Sequence, residues 1–140
     1  MTAKELLREC RQIDRRIGWR REQLDRLHAQ LDHGRRPRLT GMPRGGRGGD
    51  WTATADKVLD LEARLNADIR RMCDLRQAAM DAIGAIADTR FRDVLDLYYL
   101  CGYPWEKVAK IMHYDRTHIW RLHKAALRAL DDATQYNIDL

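Results

Sequence analysis

Apolar and small side chains follow a distinctive spacing between Trp105 and Lys124. They are Val108, Ala109, Met112, Tyr114, Ile119 and Leu122. This spacing is typical of the inward face of two short helices that cross steeply around a small core. Pro104 suits the first turn of the leading helix, and Asp115 is placed to cap the second helix. The stretch therefore predicts a helix-turn-helix.

The second helix of this pair has an outward face whose side chains suit contacts with base edges and phosphates. The face consists of Arg116, Thr117, His118, Trp120, Arg121 and Lys124. We expect Arg121 and His118 to contact base edges. We expect the phosphate contacts from four cations, Arg116, Lys124, Lys110 and Arg128. Trp120 has two interpretations, since an indole next to Ile119 either closes the edge of the core or rests on a sugar or thymine methyl.

The run GYPWEKVAKIMHYDRTHIWRLHKAALRAL resembles the DNA-binding fourth region of bacterial primary sigma factors. With the upstream TGMPRGGRGGD, the whole chain resembles small phage-encoded transcriptional regulators of the RinA and ArpU kind. The resemblance implies a sequence-specific regulator that binds double-stranded DNA in the cytoplasm of a bacterial host, with RNA polymerase as a further partner. The chain departs from the usual pattern twice. His113 stands where Gly is usual because the turn needs a positive φ, and Pro104 replaces a Ser or Thr cap.

Two longer stretches each carry a heptad seam with a single interruption. The first seam is Leu6, Cys10, Ile13, Ile17, Leu24, Leu27 and Leu31, interrupted at Arg20. The second is Val58, Leu61, Leu65, Met72, Leu75, Ala79 and Ile86, interrupted at Asp68. Neither stripe can be buried by its own helix, so we expect the two helices to pair in antiparallel sense. That pairing places Arg20 in the same layer as Asp68 or one layer away and predicts an ion pair between them.

A basic stretch rich in glycine, HGRRPRLTGMPRGGRGGD, separates the two seams. Residues 34–50 are predicted to be a flexible loop, because such a composition cannot bury enough surface to become ordered. Its arginines are Arg35, Arg36, Arg38, Arg44 and Arg47. Two interpretations stay open, a solvated linker and an arm that contacts DNA phosphates or a minor groove. The stretch lacks the GxxxxGK pattern of nucleotide-binding loops.

The predicted architecture is all-α: a long antiparallel helical hairpin over residues 1–87, a sigma-like helix-turn-helix over 88–130, and a tail over 131–140. The segment from Thr89 predicts a supporting helix with a core of Phe91, Val94, Leu95, Tyr98 and Leu100. Gly102 is expected to end this helix in the left-handed conformation. Periodicity leaves open whether the second long helix continues into this one or breaks near residues 87–89.

Composition excludes several classes of function. The net charge of +5 suits a polyanionic partner, and no run approaches the length of a membrane span. Cys10, Cys73 and Cys101 are interpreted as buried thiols of a reducing cytosol. The histidines His113, His118 and His123 are five residues apart and do not converge on a metal, so they are interpreted as surface or DNA-facing side chains. Serine is absent and no catalytic constellation is present, so we expect neither a cofactor nor an enzyme.

Two other functions remain compatible with the sequence. A small terminase-like recognition subunit of phage DNA packaging also joins a helix-turn-helix to a helical hairpin, and it assembles rings through the hairpin. A coiled-coil interaction module would bind protein alone. The seams also permit a homodimer through the hairpin, with Trp19 and Trp51 near the seam edges as contacts.

Overall fold

The computed structural model describes residues 1–35 and 47–134. All regular structure in these ranges is helical, which confirms the all-α class. The five α-helices are α1 (Ala3–Arg35), α2 (Arg47–Gly84), α3 (Thr89–Leu95), α4 (Trp105–Met112) and α5 (Arg116–Ala133). A π-helical turn, Asp96–Leu100, extends α3. The chain forms two compact units: one contains Met1–Asp14 and the chain from Arg71 onward, and the other is Arg15–Arg70.

In the unit formed by Arg15–Arg70, four apolar side chains of the predicted seams are buried. These are Ile17, Leu31, Val58 and Leu65. At the interruptions of the seams, Arg20 Nη1 lies 2.8 Å from Asp68 Oδ2, so the predicted ion pair is confirmed. A second contact joins His28 to Glu62 at 3.5 Å, with both side chains largely exposed. The other three apolar seam residues of this unit, Leu24, Leu27 and Leu61, are half-buried. The seams thus cover their apolar residues wholly or in part and bring the two opposite charges together.

The helices extend into the stretch predicted as a loop. Helix α1 continues to Arg35, and α2 begins at Arg47, whereas the sequence predicts a loop over residues 34–50. Adding a residue to an existing helix requires little free energy compared with starting one, so a long helix continues past its last apolar residue. Arg36, Arg38 and Arg44 lie outside the described residues.

The other unit has a larger core, to which all five helices contribute. Its side chains with almost no exposed surface are Leu6, Leu7, Leu75, Leu95, Ile119, Leu130, Val94 and Val108. Of the six residues predicted to face inward around α4 and α5, Val108, Ile119 and Leu122 are buried. The remaining three, Ala109, Met112 and Tyr114, are half-buried. In this core α5 packs against α3, and α4 packs against α5 and the π-helical turn.

Helix α2 does not run into α3. It ends at Gly84, and α3 begins at Thr89 after a short connection. Asp88 precedes α3 and accepts a hydrogen bond from the Arg90 backbone N–H at 2.9 Å. Arg90 also holds the pKa of the Asp88 carboxyl below its ordinary value, through side-chain and backbone hydrogen bonds. The break that periodicity leaves open is thus fixed by a capping carboxylate.

The segment between α3 and α4 is held by the first turns of α1. In the π-helical turn, the Cys101 N–H donates to the Asp96 carbonyl at 2.9 Å. Arg11 Nη1 donates to the Tyr98 carbonyl at 2.6 Å, and its guanidinium lies 3.9 Å from the centre of the Tyr98 ring. Gly102 adopts φ +74°, as predicted, and a Cβ there would lie 3.1 Å from Asp14 Oδ2. The positive φ therefore favours glycine, whereas an added Cβ would require only a small shift of the Asp14 side chain.

The cysteine prediction is wrong for two of the three thiols. Cys10 is buried, but Cys73 and Cys101 are exposed. Cys73 lies off the seam of α2, and Cys101 follows the π-helical turn. Burial raises the pKa of the Cys10 thiol to about 11. Within residues 1–35 and 47–134, no helix is both long enough and apolar enough to cross a membrane.

Candidate nucleic-acid interface

A tight turn of three residues joins α4 to α5. His113 adopts φ 60° and ψ 40°, so the predicted positive φ at this position is confirmed. Its N–H donates to the Lys110 carbonyl, and the Tyr114 N–H donates to the Ala109 carbonyl at 3.0 Å. These bonds satisfy carbonyls that the end of α4 would otherwise leave unpaired. The turn is therefore specified by local hydrogen bonds.

The caps of α4 and α5 also follow the sequence prediction. Asp115 accepts a hydrogen bond from the His118 backbone N–H at 2.7 Å and so caps α5. Pro104 precedes α4 without a side-chain cap bond, as its lack of a hydroxyl requires. Each helix therefore starts at the residue that the sequence indicates.

All six side chains predicted to face outward on α5 are exposed. They are Arg116, Thr117, His118, Trp120, Arg121 and Lys124. Lys110 on α4 and Arg128 further along α5 are exposed as well. At 100° per residue, the four α5 cations lie within about 140° of the helix circumference. The opposite side of α5 carries its buried residues, so the cations share one accessible face.

Among the described residues, the Glu106 carboxylate pairs with one cation of this face. Arg116 lies 3.6 Å from Glu106 of α4, and both side chains are largely exposed. An exposed pair of this kind contributes little to stability and leaves the guanidinium available to another anion. The Lys124 ammonium lies 5.0 Å from the centre of the Trp120 ring. Asp131 and Asp132 are exposed near the C-terminal end of α5, away from the turn.

Aromatic side chains shape the face near the turn. The His118 imidazole stacks on the Tyr114 ring at 4.1 Å between centroids. Trp120 is half exposed, at 51%, and with Trp105 it lines a shallow groove. Arg116, Thr117 and Ile119 complete the lining of this groove. About half of the indole is covered by the protein, and both sequence interpretations of Trp120 stay predictions.

His123 is buried, so its interpretation as a surface or DNA-facing histidine is wrong. Its Nε2 lies 2.8 Å from the Tyr99 hydroxyl, and the two form a hydrogen bond. Burial, with a smaller effect from Lys4, lowers the pKa of His123 to about 4. Burial likewise raises the pKa of the Tyr99 hydroxyl to about 12. Both groups are therefore neutral near pH 7 and serve as core.

The inner face of α5 rests on an aromatic cluster. Trp105 stacks on Tyr98 with ring centroids 3.7 Å apart, and its ring lies 4.5 Å from that of His123. Arg11, which holds the Tyr98 carbonyl, belongs to the same cluster. The sequence interpretation missed Arg11, Tyr99 and His123 as structural residues. For His123 a signal exists, since Ile119, His123, Ala126 and Leu130 repeat at the four-three spacing of a buried stripe.

Metal binding finds no support among the described residues. No three side chains of the His, Cys, Asp or Glu type come together there in a way that could hold an ion. His113 and His118 are exposed, whereas His123 is buried.

No protein-family model, curated protein or solved structure matches the chain.

Proposed function

We propose that the protein is a sequence-specific DNA-binding transcriptional regulator and that α5 enters the major groove. One observation carries the proposal: Arg116, Arg121, Lys124 and Arg128 share one exposed face of a capped helix whose other side is fixed in a core. A rigid helix with a cationic outer face suits both phosphate contacts and base readout. The likeness to the sigma fourth region and to regulators of the RinA and ArpU kind supports the same proposal.

The finer architecture belongs to this proposal. Helices α4 and α5, joined through His113, are interpreted as the helix-turn-helix, with α5 as the recognition helix. Helices α1 and α2 are interpreted as an antiparallel hairpin. Within Arg15–Arg70, Arg20 of α1 contacts Asp68 of α2, and His28 of α1 contacts Glu62 of α2. Residue numbers therefore rise along α1 while those of their partners fall along α2, which supports the antiparallel orientation. In this scheme Arg121 and His118 contact bases, and Lys110 contacts a phosphate.

Selection of bound duplexes from a random pool tests the proposal. We expect one recurring sequence to be enriched, and the purified protein to bind it more tightly than a scrambled duplex of equal length. Affinity for both duplexes should fall as salt rises, because cations on α5 displace counterions from the phosphates. Enrichment of no sequence, with equal binding to every duplex, would contradict a sequence-specific regulator. Absence of duplex binding at low salt would favour a module that binds protein alone.

The mass of the protein in solution separates the regulator from a subunit of phage DNA packaging. A monomer or a dimer through the hairpin agrees with the regulator. A ring of about eight or more chains would favour the packaging subunit. Association with purified RNA polymerase on the selected duplex, compared with the scrambled duplex, tests the remaining partner that the sigma likeness implies.

A further inference from the structure

We propose that the groove between Trp105 and Trp120 binds the 5-methyl group of a thymine in the target duplex. The inference rests on the proposed function and names a base that the α5 face selects. The groove is lined by two indoles and the buried Ile119, with Arg116 and Thr117 at its edge. Its apolar lining faces outward beside cations, an arrangement that a fully structural tryptophan would not require.

Trp120 lies in the middle of the cationic face. On the helix, its side chain projects about 40° from Arg116 and about 40° from Lys124, between the two cations. The Lys124 ammonium stays within 5.0 Å of the indole, so it holds a positive charge directly beside an apolar surface. A duplex whose phosphates bind Arg116 and Lys124 therefore presents the edges of its bases to Trp120.

Among groups in the major groove, the thymine methyl is the one that an indole can contact favourably. The other base edges present hydrogen-bond donors and acceptors, which lose water against an apolar wall without gaining a partner. Cytosine offers an amino group beside a bare C5–H, and adenine and guanine offer polar edges. The groove thus discriminates for a 5-methylpyrimidine, and Arg121 and His118 are left to read polar edges.

The position of the groove is fixed by the core behind it. Trp105 is stacked on Tyr98 at 3.7 Å, so one wall of the groove cannot move freely. Trp120 approaches the buried His123 ring, with 6.0 Å between centroids, and the remaining half of the indole is exposed. Trp105 therefore forms a fixed wall of the groove, and the exposed half of Trp120 offers an apolar wall that a methyl group can contact.

The test uses the enriched duplex and replaces each thymine in turn by deoxyuridine, which removes only the methyl group. We expect affinity of the wild-type protein to fall about fourfold at one or two positions, the loss for one buried methyl-sized group. At such a position, 5-methylcytosine paired with guanine should bind more tightly than cytosine paired with guanine. These duplexes need no protein variant, so folding does not complicate the result.

Variants then assign the effect to the groove. Trp120→Ala should bind the thymine and deoxyuridine duplexes equally, whereas Trp19→Ala, which removes an exposed tryptophan of α1, should keep the fourfold difference. Indifference to every thymine methyl, an enriched sequence without a recurring thymine, or a methyl effect that persists in Trp120→Ala would each overturn the inference. If the protein prefers one sequence but is indifferent to methyl groups, the groove inference fails and the proposed regulator function remains. If it binds all duplexes equally, both the groove inference and the proposed function fail.

Discussion

Arg20 and Asp68 lie opposite each other, with 2.8 Å between guanidinium Nη1 and carboxylate Oδ2. Their side chains are only 26% and 14% exposed, and they occupy the single polar position of each seam. Among the described residues, Asp68 Oδ2 accepts no well-aligned hydrogen bond, so the contact is mainly an attraction of charges. Such a pair selects one register of the two helices over others more than it adds stability.

Arg20→Glu should reduce the free energy of unfolding by about 1 to 3 kcal/mol, because it places two carboxylates together in a half-buried site. Adding Asp68→Arg restores opposite charges and should recover most of that loss. Urea denaturation of the two single variants and the double variant gives the coupling energy. The exposed pair Arg64–Asp60 on α2 is a matched control, with side chains 64% and 65% exposed. Arg64→Glu should cost only about 0.5 kcal/mol. A double variant whose urea midpoint is no higher than that of Arg20→Glu would contradict the pairing.

The Tyr99–His123 pair predicts a dependence of stability on pH. An unfolded histidine titrates near pH 6.5, whereas burial lowers the pKa of His123 to about 4 in the folded protein. Between these values the unfolded chain binds a proton that the folded chain does not, so stability falls as pH decreases from about 6.5 to 4. The loss is on the order of 2 to 3 kcal/mol.

His123→Gln removes the group that binds this proton in the unfolded chain. The free energy of unfolding of the variant should therefore fall less with decreasing pH than that of the wild type. Urea denaturation at pH 7 and pH 5 gives the change in the free energy of unfolding for each protein. Comparing the two changes cancels the contribution of carboxylates common to both proteins. His118→Gln is the control, because His118 is exposed and its removal should leave the slope unchanged. Equal slopes for the wild type and His123→Gln would show that His123 binds a proton as readily in the folded protein as in the unfolded chain, which contradicts the lowered pKa.

The turn after α4 predicts opposite effects for two substitutions at His113. His113→Gly should raise stability by up to about 1 kcal/mol, since glycine adopts φ 60° without steric cost. His113→Val should lower stability by about 1 to 2 kcal/mol, because a β-branched side chain resists the left-handed region. Thermal unfolding followed by circular dichroism measures both. His118→Gly inside α5 is the control and should destabilise by about 1 kcal/mol. Destabilisation by His113→Gly would indicate that the His113 side chain makes a contact of its own.

Arg121 is proposed to contact a base and Lys124 a phosphate. Arg121→Ala and Lys124→Ala should therefore lose DNA affinity in different ways. Arg121→Ala should reduce discrimination between the enriched and the scrambled duplex by about 1 to 3 kcal/mol. Lys124→Ala should weaken both duplexes alike and reduce the salt dependence by about one unit of slope. Titrations with both duplexes at several salt concentrations measure these effects. Equal losses on both duplexes for the two variants would assign Arg121 to phosphates as well.

Features set by neighbouring residues along the chain could be predicted from the sequence. The caps at Asp115 and Gly102 and the positive φ at His113 depend on local chemistry, which the residue types already specify. The Arg20–Asp68 pair could also be predicted, although its members are far apart, because each seam has only one interruption. A regular repeat carries information over long distances in the chain.

Features set by tertiary contacts could not be predicted in the same way. His123 is polar, and the sequence predicts it on the surface, whereas its hydrogen bond with Tyr99 of the π-helical turn makes its burial tolerable. The guanidinium of Arg11 finds carbonyls that a π-helical turn exposes, and periodicity does not reveal such a turn. The half-exposed position of Trp120 likewise depends on where Trp105 lies.

Arg11 is separated from α4 by more than ninety positions, yet it holds the Tyr98 carbonyl in the segment that leads into that helix. A shortened protein that begins at Arg15 would retain all of α4 and α5 and still lose this guanidinium. It would also lose the Asp14 carboxylate beside Gly102. The proposed reading surface therefore depends on residues of α1 that the ribosome adds to the chain long before those of α4 and α5.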